Sequence, residues 1–409
     1  MLELIAWILL IAVAAGLAFW LTVAWRVRRS MRGDPTVRAG LALPAPPAVD
    51  AQATWPKVSI IIPVHNEEHL IDRSVSALRG QRYDELELIF VLDRCTDGTA
   101  DILRRHAGAD DRIVLIENEA CPDDWAGKCH AARLGAGQAG GDYLLFTDAD
   151  TVFDPDLVGA SVALAVHRGI HLLSLLSTLR CTRAFERIAQ PVASLTLIRM
   201  YPLERINRPR AEPGRGRPFA NGQFMLFDRA WYEKIGGHAA VKDALLEDIA
   251  LARALHEAGG QCGIFLADGM LTCAMYESPA EFNLGWKRIF IEACKRKPAR
   301  LRKNALRLLA NGLVMPIIQA AALIVGVMIL FSHPPNLGLA LVPLTVGGWL
   351  TQLFTLMHIY GLAGAPHFAA LLYPAGCWMV ARIMLAGAGD LTHRRPIPWA
   401  GREYILEPR

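Results

Sequence analysis

The sequence predicts an α/β domain with a mostly parallel central sheet, carried between apolar helices at the two ends of the chain. Three observations predict it. Long apolar stretches sit at both ends; the middle alternates short β-branched runs with helical patterns; and acidic and polar residues collect just past the ends of the expected strands.

The chain has 409 residues, of which 53% are hydrophobic and only 20% charged. The apolar excess is uneven, because the middle reads like an ordinary globular domain. A middle of about 240 residues is large enough to bury one full core. The formal net charge of +4 gives no basic surface of the kind that binds nucleic acid. The basic residues cluster beside the apolar runs instead. Eight cysteines form no CxxC pair. They read as reduced thiols of a cytoplasmic protein, several of them buried, and not as a disulfide framework or a metal site.

Residues 2–25 form one apolar run interrupted only by Glu3. It is long enough to cross a hydrocarbon core of about 30 Å. A cleavable leader would start basic and have a shorter apolar core. Here Arg26, Arg28, Arg29 and Arg32 follow the run, which marks an anchor whose C-terminal end faces the cytoplasm. Residues 31–54 then read as a Pro- and Ala-rich linker. Three further apolar stretches cover 307–331, 337–361 and 366–387, preceded by the basic cluster Lys295–Lys303 and followed by His393, Arg394 and Arg395. The expected division is an anchor at 1–30, a linker at 31–54, an α/β domain at 55–295, a membrane region of up to three helices at 296–390 and a cytoplasmic-side tail at 391–409. The expected location is the cell inner membrane, multi-pass, with the middle domain in the cytoplasm. The counting conflicts with itself. One span before the domain and three after it would leave the basic tail outside. Either the tail is an exception, or one stretch is re-entrant or lies along the interface.

Within the middle domain, Val58–Val64 is a short apolar run that reads as a buried strand, followed by the turn His65-Asn66-Glu67-Glu68. Further strands are expected at 86–92, 113–116 and 143–147, with helices between them. Ligands of open α/β sheets bind past the strand C-termini. That edge gathers Asn66, Glu67, Asp93, Asp148 and Asp150.

Each candidate has a plain structural alternative. Asp148 and Asp150 are spaced to hold a divalent cation that bridges diphosphate oxygens, or are solvated turn acids. Asp93 is placed to accept hydrogen bonds from a nucleobase or ribose, or to cap a helix, a role for which Asp97 is the better choice. Glu67 supports a nucleotide pocket or is a turn acid. Lys128 precedes a helix, where a cation meets a diphosphate, or is a surface lysine. Glu247 and Asp248 open a helix, so they serve its dipole, or one of them is a general base for a hydroxyl. The glycines at 135–141 read as a helix end and turn. Residues 207–218 read as a mobile loop that covers the site or meets lipid headgroups. The apolar stretch 188–203 is either core or a surface that touches the bilayer.

Together these residues resemble the inverting family 2 glycosyltransferases with the GT-A fold, over about 55–290. Val58–Val64 with His65-Asn66-Glu67-Glu68 is similar to the family's opening strand and P-x-x-N-E turn, which brings in Pro63 as a site residue. Cys95-Thr96-Asp97-Gly98-Thr99 resembles its S/C-x-D-G-T segment, with Asp93 as the uracil-contacting acid. Gly127-Lys128 resembles the segment that approaches the diphosphate, Asp148-Ala149-Asp150 the metal-binding D-x-D, and Glu247-Asp248 the E-D element, with Asp248 as the catalytic base. Processive synthases carry Q-x-x-R-W after that element. Gly285-Trp286-Lys287-Arg288 stands here instead, which speaks against a processive enzyme and leaves Trp286 and Arg288 to shape the acceptor site. The flanking membrane helices resemble the lipid-directed members, including hopanoid-associated, carotenoid-acid and ceramide-type transferases. So does the ending Trp399-Ala400-Gly401-Arg402-Glu403-Tyr404, which the resemblance puts on the catalytic side.

The resemblance implies a nucleotide-sugar donor, by default a UDP-sugar. It also implies Mg²⁺ or Mn²⁺ at Asp148 and Asp150, and a membrane lipid as acceptor. The bilayer is then a partner and nucleic acid is not. Two rivals stand beside it. One is a transferase to a polyprenyl phosphate, which basic residues such as Arg288 near the cleft would favour. The other is a catalytically silent membrane scaffold that keeps the fold.

Overall fold

A computed structural model describes residues 2–32, 35–44, 55–179, 181–207, 218–244, 246–273, 276–331, 336–399 and 402–408. The chain divides into two compact units, one of Gly33–Arg180 and Tyr201–Glu277, the other of Met1–Arg32, Cys181–Met200 and Ser278–Arg409. The α/β part is therefore not the continuous 55–295 expected. Residues 181–200 and 278–295 pack with the apolar helices instead.

The α/β unit is built on ten strands, β1 (Val58–Val64), β2 (Leu86–Asp93), β3 (Ile113–Asn118), β4 (Tyr143–Phe146), β5 (Thr151–Phe153), β6 (Leu172–Leu176), β7 (Thr178–Leu179), β8 (Met225–Asp228), β9 (Cys262–Leu266) and β10 (Leu271–Cys273). Seven form one sheet in the order β3-β2-β1-β4-β8-β6-β9. All its pairings are parallel except those of β8, which runs antiparallel to both β4 and β6. A small sheet, β5-β10-β7, stands beside it. The central strands are mostly apolar and buried along almost their whole length because both faces are covered. Pro63 sits in the central strand without breaking it. β4 pairs only with Val58–Ile61, so the missing N–H falls beyond that ladder.

Two sequence readings change here. The first part of the expected linker is structured. Thr36 bridges to Leu266, the Leu266 N–H donates to the Pro35 carbonyl at 2.8 Å, and Val37 is fully buried. Residues 45–54 of that linker and 208–217 of the expected loop lie outside the described residues. The glycines read as a helix end include Gly135, which lies inside the helix Gly127–Gln138. A Cβ there would come within 2.5 Å of the Ile61 side chain, so its smallness lets the helix press onto the sheet.

The helical unit contains Leu2–Ser30, Ala184–Met200 and Pro279–Ala293. Pro298–Leu309 continues through one π turn, Ala310–Val314, into Met315–Leu330. Asn336–Leu362 and Tyr373–His393 follow, and a hairpin of Ile397–Trp399 and Arg402–Tyr404 ends the chain. The stretch 188–203 thus contributes to the helical unit through Met200. Among the described residues, four segments are long and apolar enough to cross a membrane: Leu2–Ser30, Pro298–Leu330, Asn336–Leu362 and His367–His393. Ala6, Val13, Ala322, Ile329 and Leu341 form a core among the first three. Small residues set the approach, for a Cβ on Gly338 would lie 2.8 Å from the Gly326 carbonyl. The eight cysteines are free thiols, and all but Cys95 are buried.

Candidate active site

The ends of β1 and β2 are latched together. Asn66 adopts φ +56°, a left-handed conformation that asparagine tolerates, and its Oδ1 accepts the Thr96 N–H at 2.8 Å. The Glu67 N–H donates to Thr99 Oγ1 at 2.8 Å, and the Glu68 N–H donates to Asp97 Oδ2 at 3.2 Å. Asp97 Oδ1 also accepts the Thr99 N–H at 3.1 Å, so Asp97 fills the capping role expected of it at the helix Thr99–Ala107. Asn66 was read as a ligand contact, but its side-chain oxygen is committed to shaping this loop.

Asp93 lies at the end of β2 and is buried. Its carboxylate is more fully engaged than the sequence suggests. Arg94 Nε and NH2 donate to its two oxygens at 2.9 and 2.7 Å, and Asn118 Nδ2 donates to Oδ1 at 2.7 Å. His65 Nδ1 donates to the Asp93 carbonyl at 2.6 Å. A ligand reaching Asp93 therefore meets an Asp–Arg unit. A Cβ on Gly127 would fall 2.9 Å from Arg94 NH2, so glycine there leaves room for that unit.

Beyond β4 the chain turns through Asp148-Ala149-Asp150. The turn is pinned by the Thr151 hydroxyl donating to the Asp148 carbonyl (2.8 Å) and the Thr147 hydroxyl donating to the Gln223 carbonyl (2.7 Å). Burial, then the neighbouring Asp148, pushes the Asp150 carboxyl up to about 6. Burial, Asp150 and Asp148 push Glu67 up to about 7, which places Glu67 electrostatically with the pair. The Cys273 thiol donates to Asp150 Oδ2 at 3.3 Å, while Asp150 Oδ1 is buried with no hydrogen-bond partner among the described residues.

Lys128, at the start of the helix Gly127–Gln138, joins this pair to the second acidic element. Its Nζ lies 2.7 Å from Asp148 Oδ1 and 2.7 Å from Glu247 Oε1. Burial opposes its charge, but Asp148 and Glu247 outweigh burial and hold its pKa well above the ordinary value. Glu247 and Asp248 open the helix Glu247–Ala258. Asp248 accepts the Ile249 N–H at 2.6 Å and the Gly222 N–H at 2.8 Å. Burial and the adjacent Glu247 push its carboxyl up to about 7. The first of these bonds serves the helix start; the second is a tertiary contact that capping does not explain.

Gly222, Gln223, Cys273 and Ser177 were not singled out as site residues from the sequence. A Cβ on Gly222 would meet Lys128 Nζ at 2.9 Å and Glu247 Oε1 at 3.3 Å, so any side chain here would push the Lys128 ammonium aside. Gln223 Nε2 lies 3.1 Å from Cys273 Sγ, and the Ser177 hydroxyl donates to Gln223 Oε1. The Asn221-Gly222 pair, a turn signal just before β8, was the one available clue. Trp286 and Arg288, expected to shape the acceptor site, lie in the other unit. Both are buried in its helix Pro279–Ala293, and the Trp286 indole N–H donates to Gln190 Oε1 at 3.0 Å.

This fold, with acids and a lysine gathered past the strand ends of a mostly parallel sheet, defines a ligand-binding α/β class. Residues 59–236 match the model of the family described as Glycosyl transferase family 2. The 4,4'-diaponeurosporenoate glycosyltransferase of Staphylococcus haemolyticus is 25% identical over 251 residues, 60% of this chain and 64% of that protein. The glycosyltransferase AglE of Haloferax volcanii is 36% identical over 101 residues, 24% of this chain and 32% of that protein. The chain thus spans less than two thirds of either relative. Among solved structures, the mannosyltransferase PcManGT from Pyrobaculum calidifontis in complex with GDP-Man and Mn2+ is similar at 21% identity and a TM-score of 0.48, over 86% of this chain and 98% of that one.

Proposed function

We propose that the protein is an inverting glycosyltransferase that moves a sugar from a nucleotide-sugar, by default a UDP-sugar, to a hydroxyl of a membrane lipid. The observation that carries this reading is the Lys128 bridge. One cation links the Asp148–Asp150 pair to the Glu247–Asp248 pair, so groups suited to a diphosphate and to a hydroxyl proton share one cluster.

Asp248 is the base. Two backbone N–H groups fix its carboxylate, and a proton affinity raised to about 7 suits proton uptake near neutral pH. The acceptor oxygen forms its bond to the anomeric carbon as the bond from that carbon to the diphosphate oxygen breaks. The hydroxyl proton goes to Asp248, and the electron pair leaves with the nucleoside diphosphate. Lys128 offers positive charge to that leaving group from the positive end of its helix. The Asp93–Arg94 unit and Glu67 line the nucleotide end.

The residues fit a divalent cation. Asp150 has a buried oxygen without a hydrogen-bond partner among the described residues, and the acids around it repel one another. Mg²⁺ or Mn²⁺ would be held by Asp148 and Asp150 and would neutralise diphosphate charge. Among the described residues no group of three or more His, Cys, Asp or Glu side chains is arranged to hold a metal.

A lipid acceptor is supported by the long apolar helices and by the relative named for a diaponeurosporenoate. The basic residues after the first helix support an inner-membrane protein with a cytoplasmic catalytic unit.

The test is nucleotide diphosphate release in lipid nanodiscs from a panel of UDP- and GDP-sugars, with Mg²⁺ or Mn²⁺, with and without native lipid extract. Lipid-dependent release from one donor, lost in Asp248→Asn, is expected. Release that survives Asp248→Asn would remove the base. Absence of both donor binding and release would favour a silent scaffold.

A further inference from the structure

We infer that the chain crosses the bilayer three times, and that the fourth apolar helix, Tyr373–His393, stays on the side that carries the basic residues. The register of the first three helices fixes depth. A Cβ on Gly16 would meet the Met315 side chain, and Ala6 and Ile329 share one core, so Met315–Leu330 runs antiparallel to Leu2–Ser30. Gly348 faces Val13 and Gly338 faces Gly326, so Asn336–Leu362 returns toward the Arg26–Arg32 end. Leu362 lies 14 residues past Gly348, about 21 Å beyond the level of Val13, at the basic face.

The last helix begins at that level and leads away from it. Tyr373 packs against Trp20, with ring centroids 5.8 Å apart. Cys377 lies against Gly312, and Arg302 NH2 donates to Thr392 Oγ1 at 3.2 Å. The helix therefore runs beside Pro298–Leu309 in the direction opposite to Met315–Leu330, the segment that reaches the far face. Its companion is not a membrane segment, because Arg300, Arg302, Lys303 and Arg307 are all exposed. Nor is the helix itself dressed for lipid. Half of its most apolar window (50%) is buried by protein, against 22%, 22% and 28% for the other three segments. Arg382, near its middle, is exposed one turn after the exposed Trp378. A charge at mid-bilayer facing lipid is costly, whereas a Trp–Arg pair suits the headgroup layer.

Three crossings remove the conflict in the sequence. His393, Arg394 and Arg395 return to the side of Arg26–Arg32, as basic segments favour. The helix is apolar because helices Ala184–Met200, Pro279–Ala293 and Pro298–Leu309 pack on it, as where Gly376 faces Ile188 and Gly387 faces Ile291.

The test uses full-length chains in a bacterial membrane. Alkaline phosphatase, active only outside, and a fluorescent protein, active only inside, are each fused after Arg409 or inserted between Phe331 and Asn336. Fluorescence without phosphatase activity at Arg409, with the reverse at the inserted site, is expected. Phosphatase activity at Arg409 would overturn the inference. In parallel, Arg382→Cys is treated with an impermeant maleimide in inverted vesicles. Labelling above the native-cysteine background is expected; a site that reacts only after denaturation would place the helix in hydrocarbon and overturn it.

Discussion

The two units of this protein treat buried polarity in opposite ways. In the α/β unit, Lys128, Asp148, Glu247 and Asp248 are held by one another and by backbone N–H groups, and Asp150 Oδ1 has no hydrogen-bond partner among the described residues. In the helical unit, Gln319 is fully buried between apolar helices, and neither polar atom of its amide finds a partner among the described residues. The first arrangement stores unbalanced charge where a charged ligand would restore balance. The second has no such outlet. A buried polar group is costly unless it is paired, so the same kind of group reads as function in one unit and as a stability defect in the other.

The sharpest way to break that comparison is Asp248→Asn. If Asp248 is the base, turnover should fall by about 10²–10⁴-fold while donor binding persists. Donor titration beside steady-state rates separates the two. An effect confined to folding would reduce Asp248 to a helix-start residue. Gly222→Ala should come next, with a loss of about 10²-fold, because its methyl group would displace Lys128 and Glu247. Unchanged activity would mean the Lys128 bridge is incidental.

The pH profile sharpens the picture. Asp248 is raised to about 7, and a base works only when ionised. The log of kcat/KM should therefore climb with pH below about 7 and level off above it. The metal must be kept saturating, since Glu67 and Asp150 titrate at about 7 and about 6. A profile that falls through this range would exclude a base with that proton affinity.

Lys128→Met should destabilise the α/β unit. Removing one partner of a fully buried ion pair costs about 3–5 kcal/mol. Because the Lys128 side chain is 29% exposed, a loss of about 2 kcal/mol is expected in denaturant titration. The smallest effect belongs to the other unit. Gln319→Leu should raise stability in detergent by about 1 kcal/mol, read as a higher Tm, since it removes an unpaired amide. A destabilised Gln319→Leu would mean the amide has a partner in the membrane.

Much was legible in the sequence. The strands at 58–64, 86–93, 113–118 and 143–146 are short apolar runs between turn signals, and local pattern suffices to find them. The acids at the strand ends were legible for the same reason, because their positions follow from the strands. The four apolar helices were fixed by composition and length. What the sequence could not give was contact between distant segments. Tertiary structure alone decided that Arg94 and Asn118 occupy Asp93, that Lys128 joins Asp148 to Glu247, and that Gly222 and Cys273 belong to the cluster. It also assigned Trp286 to the helical unit and buried half of the most apolar window of His367–His393. The physical reason is the same in each case. Hydropathy reports how apolar a segment is, whereas what covers it depends on chain closure over hundreds of residues, which no local pattern encodes.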